Sequence, residues 1–255
     1  MHERGEPTMR KEMSNSARLA MFAPLDQLGR ADAVAARLLD AITLGLLDDA
    51  EQLPSEVELA AQFRVATVTV REALAVLRQQ GLVETRRGRG GGSFVRTPAW
   101  PSPSSWASRL SLLSLADLRD LGDHYLAVAG AAAKLAAERS TPEDLDRLRL
   151  NAEDLREASG PEAIRAERQF HLEIAAAAQS PRLTNQEVQL QGEHGWLLWV
   201  PLGGGEQCRA AYAEHQAIVA AIAATDGDLA RRLTEDHVLS ALDRLADLHL
   251  SLETP

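Results

Sequence analysis

The sequence predicts a mainly α-helical protein, with an N-terminal winged helix-turn-helix (three helices plus a β-hairpin wing) and a C-terminal all-α bundle of about six helices. Two observations predict this fold class. Three helical segments and a glycine-rich hairpin follow one another within the first hundred residues. From Leu115 to Leu250, apolar residues then recur at helical spacing between proline and glycine breakers. The 255 residues are enough for two domains.

Composition indicates where the domains begin and end. We predict a disordered tail over residues 1–23, a winged helix-turn-helix domain over 24–97, a linker over 98–112 and a helical domain over 113–251. The tail is polar and lacks the apolar segment of a secretory signal. The linker begins in a stretch of prolines and serines, which we expect to prevent helix and sheet.

Basic residues are concentrated in one part of an acidic chain. The net charge is -10, yet seven arginines and only two acids lie between Arg64 and Arg96. The negative net charge argues against a protein that coats nucleic acid with its whole surface, and we expect the one basic patch to neutralise DNA phosphates locally. The alternative is a solvated charged face. One cysteine, Cys208, and no apolar run of about 18 residues predict a cytoplasmic protein without a membrane partner.

The first domain begins with three predicted helices. One apolar stripe marks a helix over Asp32–Leu46, and the pair Ser55 and Glu58 has the spacing of a capping box that starts a short second helix. A third helix reaches about Gln80 and ends at Gly81, because glycine readily adopts the conformation that closes a helix.

A basic glycine-rich turn at 87–92 connects two predicted strands, at 82–86 and 93–95. In a winged helix-turn-helix, the third helix lies in the major groove of DNA and the wing tip approaches a minor groove. The alternatives are that Thr67 or Thr69 only caps a helix, that Arg71 pairs with a nearby acid, and that the glycine run is only a flexible hairpin.

The order and spacing of these residues resemble the DNA-binding domain of the GntR family, FadR branch. The matching segments are Leu53-Pro54-Ser55-Glu56-x-Glu58-Leu59-Ala60, Val70-Arg71-Glu72-Ala73-Leu74-x-x-Leu77, Gly81-Leu82-Val83 and Gly88-Arg89-Gly90-Gly91-Gly92-Ser93-Phe94-Val95. The resemblance implies that double-stranded operator DNA is contacted by Thr67, Thr69, Arg71, Arg89 and Gly90.

Three positions depart from the family pattern. Val57 stands where the family usually has arginine, and Ala66-Thr67 replaces its usual Ser-Arg pair. An arginine that pairs with a base is worth roughly 1–3 kcal/mol of discrimination, so we expect an unusual operator sequence. Arg64 stands where glycine is common, which predicts a strained or differently shaped turn because positive φ is costly for other residues.

Histidines in the second domain suggest a metal site. Glu167 and His171 are four residues apart, so both project from one face of a helix. Two imidazoles from other helices, His215 and His237, would complete a set suited to a divalent ion such as Zn²⁺ or Ni²⁺. The alternative is that each histidine is a surface or hydrogen-bonded residue.

The second domain resembles the FCD-type effector domain of the same family. The matching segments are Phe170-His171-Leu172-x-Ile174-Ala175, Glu214-His215-x-x-Ile218 and Gly227-Asp228-x-Ala230, followed by His237. The resemblance implies that the three histidines are metal ligands. It also places Glu167 where the family usually has aspartate, and Tyr125 and Ala129 where many members have Arg and Glu facing the effector.

Tyr125 is therefore a candidate effector contact, with a place in the core as the alternative. We expect Trp196 and Trp199 to belong to the core of the bundle rather than to a cofactor site.

Together these features predict a transcriptional regulator, a repressor and not an enzyme, that binds palindromic DNA as a homodimer. We expect a small-molecule effector, an organic acid, to bind in the metal-containing helical pocket and to change operator affinity. Two alternatives stay open: a metal sensor in which the ion itself is the effector, and a metalloenzyme that uses the same ligands.

Overall fold

The computed structural model describes residues 29–43, 47–88, 90–97, 103–193 and 195–253. The predicted tail, residues 1–23, lies outside these ranges. Within them the predicted fold class is confirmed, because a winged helix-turn-helix with one two-stranded sheet precedes a helical bundle. None of the helices in these ranges combines the length and the apolar character needed to cross a membrane.

In the described part of the winged domain there are three helices and one hairpin. They are α1 (Arg30–Thr43), α2 (Glu56–Phe63), α3 (Thr67–Gln79), β1 (Val83–Arg86) and β2 (Gly92–Val95). The two strands are antiparallel, with Val83 opposite Val95 and Arg86 opposite Gly92. Val70, on α3, is fully buried, and Gly81 has a φ of 73° directly after α3, so the helix ends at the predicted glycine.

Local chemistry determines both ends of α2. The hydroxyl of Ser55 accepts a hydrogen bond from the backbone N–H of Glu58 at 3.3 Å, and the Glu58 carboxylate accepts one from the N–H of Ser55 at 2.8 Å. The predicted capping box is therefore present. At the other end, Arg64 has φ 54° and ψ 46°, a left-handed conformation that costs a residue with a β-carbon roughly 1–2 kcal/mol. The turn is therefore strained, as its sequence predicts.

The C-terminal part contains long helices separated at the predicted breakers. They are α4 (Pro103–Leu110), α5 (Leu115–Arg139), α6 (Pro142–Asp154), α7 (Pro161–Ala177), α8 (Pro181–Glu193), a 3₁₀ helix (Gly195–Trp199), α9 (Glu206–Ala223) and α10 (Gly227–Glu253). Helix α10 packs along α5. Helix α7 is buried around nearly its whole circumference, from Ala163 to Ala177. A helix surrounded in this way can direct polar side chains into the interior of the bundle.

The predicted linker contains a helix, α4, so the expectation that its prolines prevent helix is wrong at this point. The helix begins at Pro103. Proline is tolerated in a first helical turn because the N–H groups of that turn have no acceptor within the helix. Leu110, at the end of α4, is fully buried and packs with the core of the bundle.

The winged domain packs directly on the bundle. One apolar cluster contains Val34 and Leu38 of α1 together with Leu172 and Ala176 of α7 and Val188 of α8. The first helix of the winged domain therefore shares a core with two helices of the bundle. This contact places the winged domain against the helices that carry the candidate site described next.

Candidate functional site

Helix α3 has an apolar side and an exposed side. Its buried residues face the core of the winged domain: Val70, Ala73, Leu74 and Leu77. Val68, Arg71 and Glu72 are exposed, while Thr67 and Thr69 are half-buried. The structure thus brings three of the predicted DNA contacts, Thr67, Thr69 and Arg71, to the N-terminal turns of one helix.

The structure decides two of the alternatives for this helix. The N-cap residue of α3 is Ala66, which makes no side-chain hydrogen bond to the helix, so neither Thr67 nor Thr69 is the cap. Arg71 does pair with an acid: its Nε lies 2.6 Å from Oε2 of Glu56. Both side chains are partly exposed, at 64% and 35%, so the pair remains open to competition from another anion.

The wing provides an exposed glycine and a set of arginines. Gly90 is exposed with a φ of 82°, a conformation that favours glycine. Arg89 lies outside the described residues. The carboxylate of Glu84 forms ion pairs with the guanidinium groups of Arg86 and Arg96, with N–O distances of 2.7 Å in both. The guanidinium of Arg86 also lies over the ring of Phe94. Part of the basic patch is therefore neutralised within the wing itself.

An open groove of about 830 Å³ separates the wing from the start of α2. Its walls include Glu56 and Glu58 as well as Arg78 and Gly91. Because acids and a base line it together, the groove does not form a uniformly positive surface for phosphates. The exposed face of α3 and the wing tip are the more suitable nucleic-acid interface.

The predicted metal ligands come together in the interior of the bundle. Glu167 and His171 lie on α7, His215 on α9 and His237 on α10. Oε2 of Glu167 lies 3.0 Å from Nε2 of His215, 3.1 Å from Nε2 of His237 and 4.0 Å from Nε2 of His171. All four residues are at most 2% exposed, and one ligand atom from each lies within 4.8 Å of the others. This set is called the Glu–His cluster below.

Protonation differs among the members of this cluster. Burial alone would raise the pKa of Glu167, but the adjacent His215 and His237 lower it, so the carboxylate is ionised. Burial lowers the pKa of both His171 and His215, which favours neutral imidazoles. Burial also acts to lower the pKa of His237, but Glu167 and Glu214 outweigh it and raise that pKa to about 9. The ionised Glu167 carboxylate therefore lies beside an imidazole, that of His237, whose protonated form is favoured.

The donor set of the cluster suits a divalent ion. Three imidazole nitrogens and one carboxylate oxygen are ordinary ligands of Zn²⁺ and Ni²⁺. Nε2 of His171 and Oε1 of Glu167 are buried and have no hydrogen-bond partner among the described residues. A buried polar atom without a partner is costly, so these two atoms favour a bound positive charge.

Sequence reasoning missed the residues that surround this cluster. Nδ1 of His237 donates to Oε2 of Glu214 at 2.6 Å, which leaves Nε2 of His237 directed at Glu167. Metal-binding histidines commonly make this second contact to a carboxylate. Trp199 is buried, as expected of a core residue, but its ring also packs near-parallel to His171 and His237, at centroid distances of 4.9 and 5.3 Å. In the sequence, only the position of Glu214 directly before His215 indicated that Glu214 could lie near the cluster.

Tyr125, the candidate effector contact, is fully buried next to this cluster. Its ring meets that of His171 edge-on at 5.6 Å, and its hydroxyl donates to Oε1 of Glu187 at 3.1 Å. Gln191 donates to both the Tyr125 hydroxyl and Oε1 of Glu187. Burial raises the pKa of Glu187 to about 7. Tyr125 therefore connects the Glu–His cluster to a second, polar cluster on α8, formed by Glu187 and Gln191.

Comparisons with known proteins match both domains. Residues 30–92 match the model of bacterial regulatory proteins of the gntR family, and residues 120–240 match the FCD domain. RmpR of Mycobacterium gastri, named as an HTH-type transcriptional regulator, is 40% identical over 91% of this chain and 86% of its own length. A protein of Escherichia coli named for regulation of the L-lactate dehydrogenase operon is 30% identical over 81% of this chain and 83% of its own length.

A solved structure supports the fold. Escherichia coli McbR/YncC aligns with a TM-score of 0.53 at 21% identity, over 87% of this chain and 99% of its own. At this level of identity the likeness concerns the arrangement of helices and the wing.

Proposed function

Because the chain belongs to the GntR family and carries an FCD domain, and is thus a DNA-binding transcriptional regulator, we propose that it represses transcription from an operator under the control of a small effector. In this proposal the winged domain reads the duplex. The Glu–His cluster binds a divalent ion that helps to hold the effector. The burial of these four ligand residues together, beside Tyr125, is the observation that carries the effector site.

DNA reading is assigned to the exposed face of α3 and to the wing. Arg71 exchanges Glu56 for a phosphate or a base, and Thr67 and Thr69 donate hydroxyl hydrogen bonds to the duplex. Gly90 lets the wing approach a minor groove closely, and Arg89 contributes positive charge there. Two copies of the chain, related by a two-fold axis, bind a palindromic operator, and operator occupancy blocks transcription.

Effector binding is assigned to the buried region between the two clusters. Glu167, His171, His215 and His237 hold the ion, while Glu214 orients His237. When bound, the ion supplies positive charge and coordination positions for the oxygens of an organic acid. Tyr125 and Gln191 provide hydrogen bonds beside it. The name of the Escherichia coli relative, which concerns an L-lactate dehydrogenase operon, supports a hydroxy acid as the first compound to test.

A metal sensor is the second candidate function, and burial favours it. The ligand residues are at most 2% exposed and aromatic rings pack against them, as in closed sites where four protein ligands hold an ion without a second molecule. In that case the ion is the effector. The metalloenzyme hypothesis has no comparable observation in its favour, since the comparisons are with regulators.

The test uses the full chain and duplexes that tile the region upstream of its own gene, with binding followed by fluorescence anisotropy. We expect one duplex to bind preferentially, with affinity falling steeply as salt rises, and Arg71→Ala to weaken binding. Arg149→Ala, on the bundle surface, is the matched control. Equal binding to every duplex at all salt concentrations would contradict operator recognition.

The effector is tested on the same complex. Zn²⁺ or Ni²⁺ is added to chelator-treated protein, alone and with L-lactate, and native mass spectrometry counts ions per chain. We expect one ion per chain and none in His215→Ala. A change in DNA affinity that needs lactate supports an organic effector, and a change with the ion alone supports the metal sensor. If neither addition alters affinity, effector control through this cluster is wrong.

A further inference from the structure

Two apolar side chains, Val68 and Val76, are exposed on α3, the helix proposed to read the duplex, and Val68 is the more exposed of the two. Val68 is the second residue of α3, and it is 57% exposed. At 100° per residue it lies opposite the buried stripe represented by Val70 and Leu74, in the middle of the outward face. Arg71 and Glu72 stand one turn further along the same exposed side.

Packing within the chain does not explain this valine. The core of the winged domain includes the half-buried Leu39 and Val65 at its margin, but not Val68. A β-branched apolar residue on the surface that faces DNA gains favourable contacts only when something apolar covers it. In the major groove, the apolar group that a base pair presents is the 5-methyl group of thymine.

We propose that Val68 packs against the 5-methyl group of one thymine in each operator half-site, so that this position selects T·A over the other base pairs. The inference rests on the proposed binding of operator DNA by α3. It names Val68 as a specificity-determining residue. The polar neighbours Thr67 and Arg71 have hydrogen-bonding groups for phosphates or base edges, whereas Val68 can discriminate only through shape and apolar contact.

The chain contains a matched control at Val76. Val76 is also an exposed valine of the same helix, at 36%, but it lies eight residues after Val68, more than two turns further along α3. In a helix-turn-helix the N-terminal residues of the reading helix contact the base edges. Val76 should therefore meet no thymine methyl group.

The experiment begins with selection from a random duplex pool by the wild-type chain, by Val68→Ala and by Val76→Ala. We expect the wild type and Val76→Ala to enrich a thymine at one position per half-site, and Val68→Ala to lose that preference alone. Duplexes that carry deoxyuridine in place of this thymine then remove only the methyl group. We expect the wild type to bind about fourfold more weakly for each methyl group removed. This factor corresponds to the free energy gained when one such group is buried away from water.

Val68→Ala should bind the thymine and deoxyuridine duplexes with equal affinity. Val68→Thr retains one of the two methyl groups of valine, so it should keep part of the difference in affinity between these duplexes. Thermal unfolding of each variant checks that it is folded. Equal discrimination by the wild type and Val68→Ala would overturn the inference while leaving operator binding intact. If no protein enriches any sequence, operator binding itself fails, and the inference fails with it.

Discussion

The carboxylate of Asp40 occupies the place where a β-carbon on Gly192 would lie. Asp40 is on α1 of the winged domain, and Gly192 is on α8 of the bundle, so glycine at this position lets the two domains meet. Helix α8 also carries Glu187, which accepts a hydrogen bond from Tyr125, and Gln191, which donates one to Tyr125. One helix therefore contacts the winged domain, through Val188 and Gly192, and the candidate effector region, through Glu187 and Gln191.

Gly192→Ala should separate α1 from α8. The added methyl group collides with the Asp40 carboxylate, and overpacking of this kind costs typically about 1–3 kcal/mol. We expect a lower melting temperature and altered DNA affinity. The control is Gly203→Ala, where the closest atom, Oε1 of Gln207, is 3.8 Å from the new β-carbon. Adding Asp40→Ala should restore part of the loss, and an unchanged melting temperature in Gly192→Ala would refute the close contact.

Glu187→Gln should change how stability depends on pH. The carboxyl keeps its proton in the folded chain up to about pH 7, whereas an unfolded glutamate loses its proton near pH 4.3. The stability that the raised pKa contributes is fully present below about pH 4.3, the pKa of the unfolded chain. It is lost as the pH rises from there through about 7, the pKa of the folded chain. The wild type should therefore lose up to about 1.4 kcal/mol per pH unit in this window, relative to the variant.

Melting temperatures of the wild type and Glu187→Gln, measured from pH 5 to pH 8, check this expectation. Glu162→Gln is the control, because Glu162 is exposed. A constant difference between wild type and Glu187→Gln across the range would show that the buried carboxyl does not retain its proton.

Arg64→Gly should stabilise the winged domain. The left-handed backbone at Arg64 costs arginine more than glycine, and relief of this strain outweighs the extra freedom of glycine in the unfolded chain by about 0.5–1 kcal/mol. Arg64→Ala keeps the β-carbon and the strain, so it separates the backbone effect from loss of the side chain. Thermal unfolding should rank Arg64→Gly above both the wild type and Arg64→Ala; a lower melting temperature for the glycine variant would contradict the argument.

Glu56→Gln should strengthen DNA binding. Glu56 holds Nε of Arg71 at 2.6 Å, so a phosphate must compete with it for the guanidinium. Removing the charge should raise operator affinity by up to about fivefold, the size of effect typical of exposed ion pairs. Asp146→Asn is matched to it, since it breaks the exposed pair between Asp146 and Arg149 on the bundle. Weaker binding by Glu56→Gln would indicate that Glu56 positions Arg71 instead of competing for it.

Features that depend on near neighbours in the chain could be predicted from the sequence. Ser55 and Glu58 cap α2 as their spacing predicts, and α3 ends at Gly81. Glu167 and His171 share a helix face for the same reason, because positions four apart always do. The meeting of His215 and His237 with that pair is a long-range contact. The residue types made it one hypothesis beside that of separate histidines, and the resemblance to the FCD domain then favoured it.

Contacts between distant segments could not be read from the pattern alone. Arg71 and Glu56 lie fifteen residues apart, and either could have met another partner. Asp40 meets Gly192 only when the two domains pack together, so neither residue alone predicts the contact. Trp199 was predicted only to be a core residue. Apolar residues in a bundle have the same sequence periodicity whether they pack on leucine or on a histidine ligand, so the pattern did not indicate its contact with His171 and His237.

Because the ring of Trp199 packs near-parallel to those of His171 and His237, its fluorescence should respond to an ion bound at the Glu–His cluster. An open-shell ion such as Ni²⁺ or Cu²⁺, held by those imidazoles, would quench the emission of an indole at this distance, whereas closed-shell Zn²⁺ would leave most of it. Binding of an open-shell ion can therefore be followed in unlabelled protein as a partial loss of intrinsic fluorescence, and Trp199→Phe, which keeps the other three tryptophans, should lose a smaller fraction.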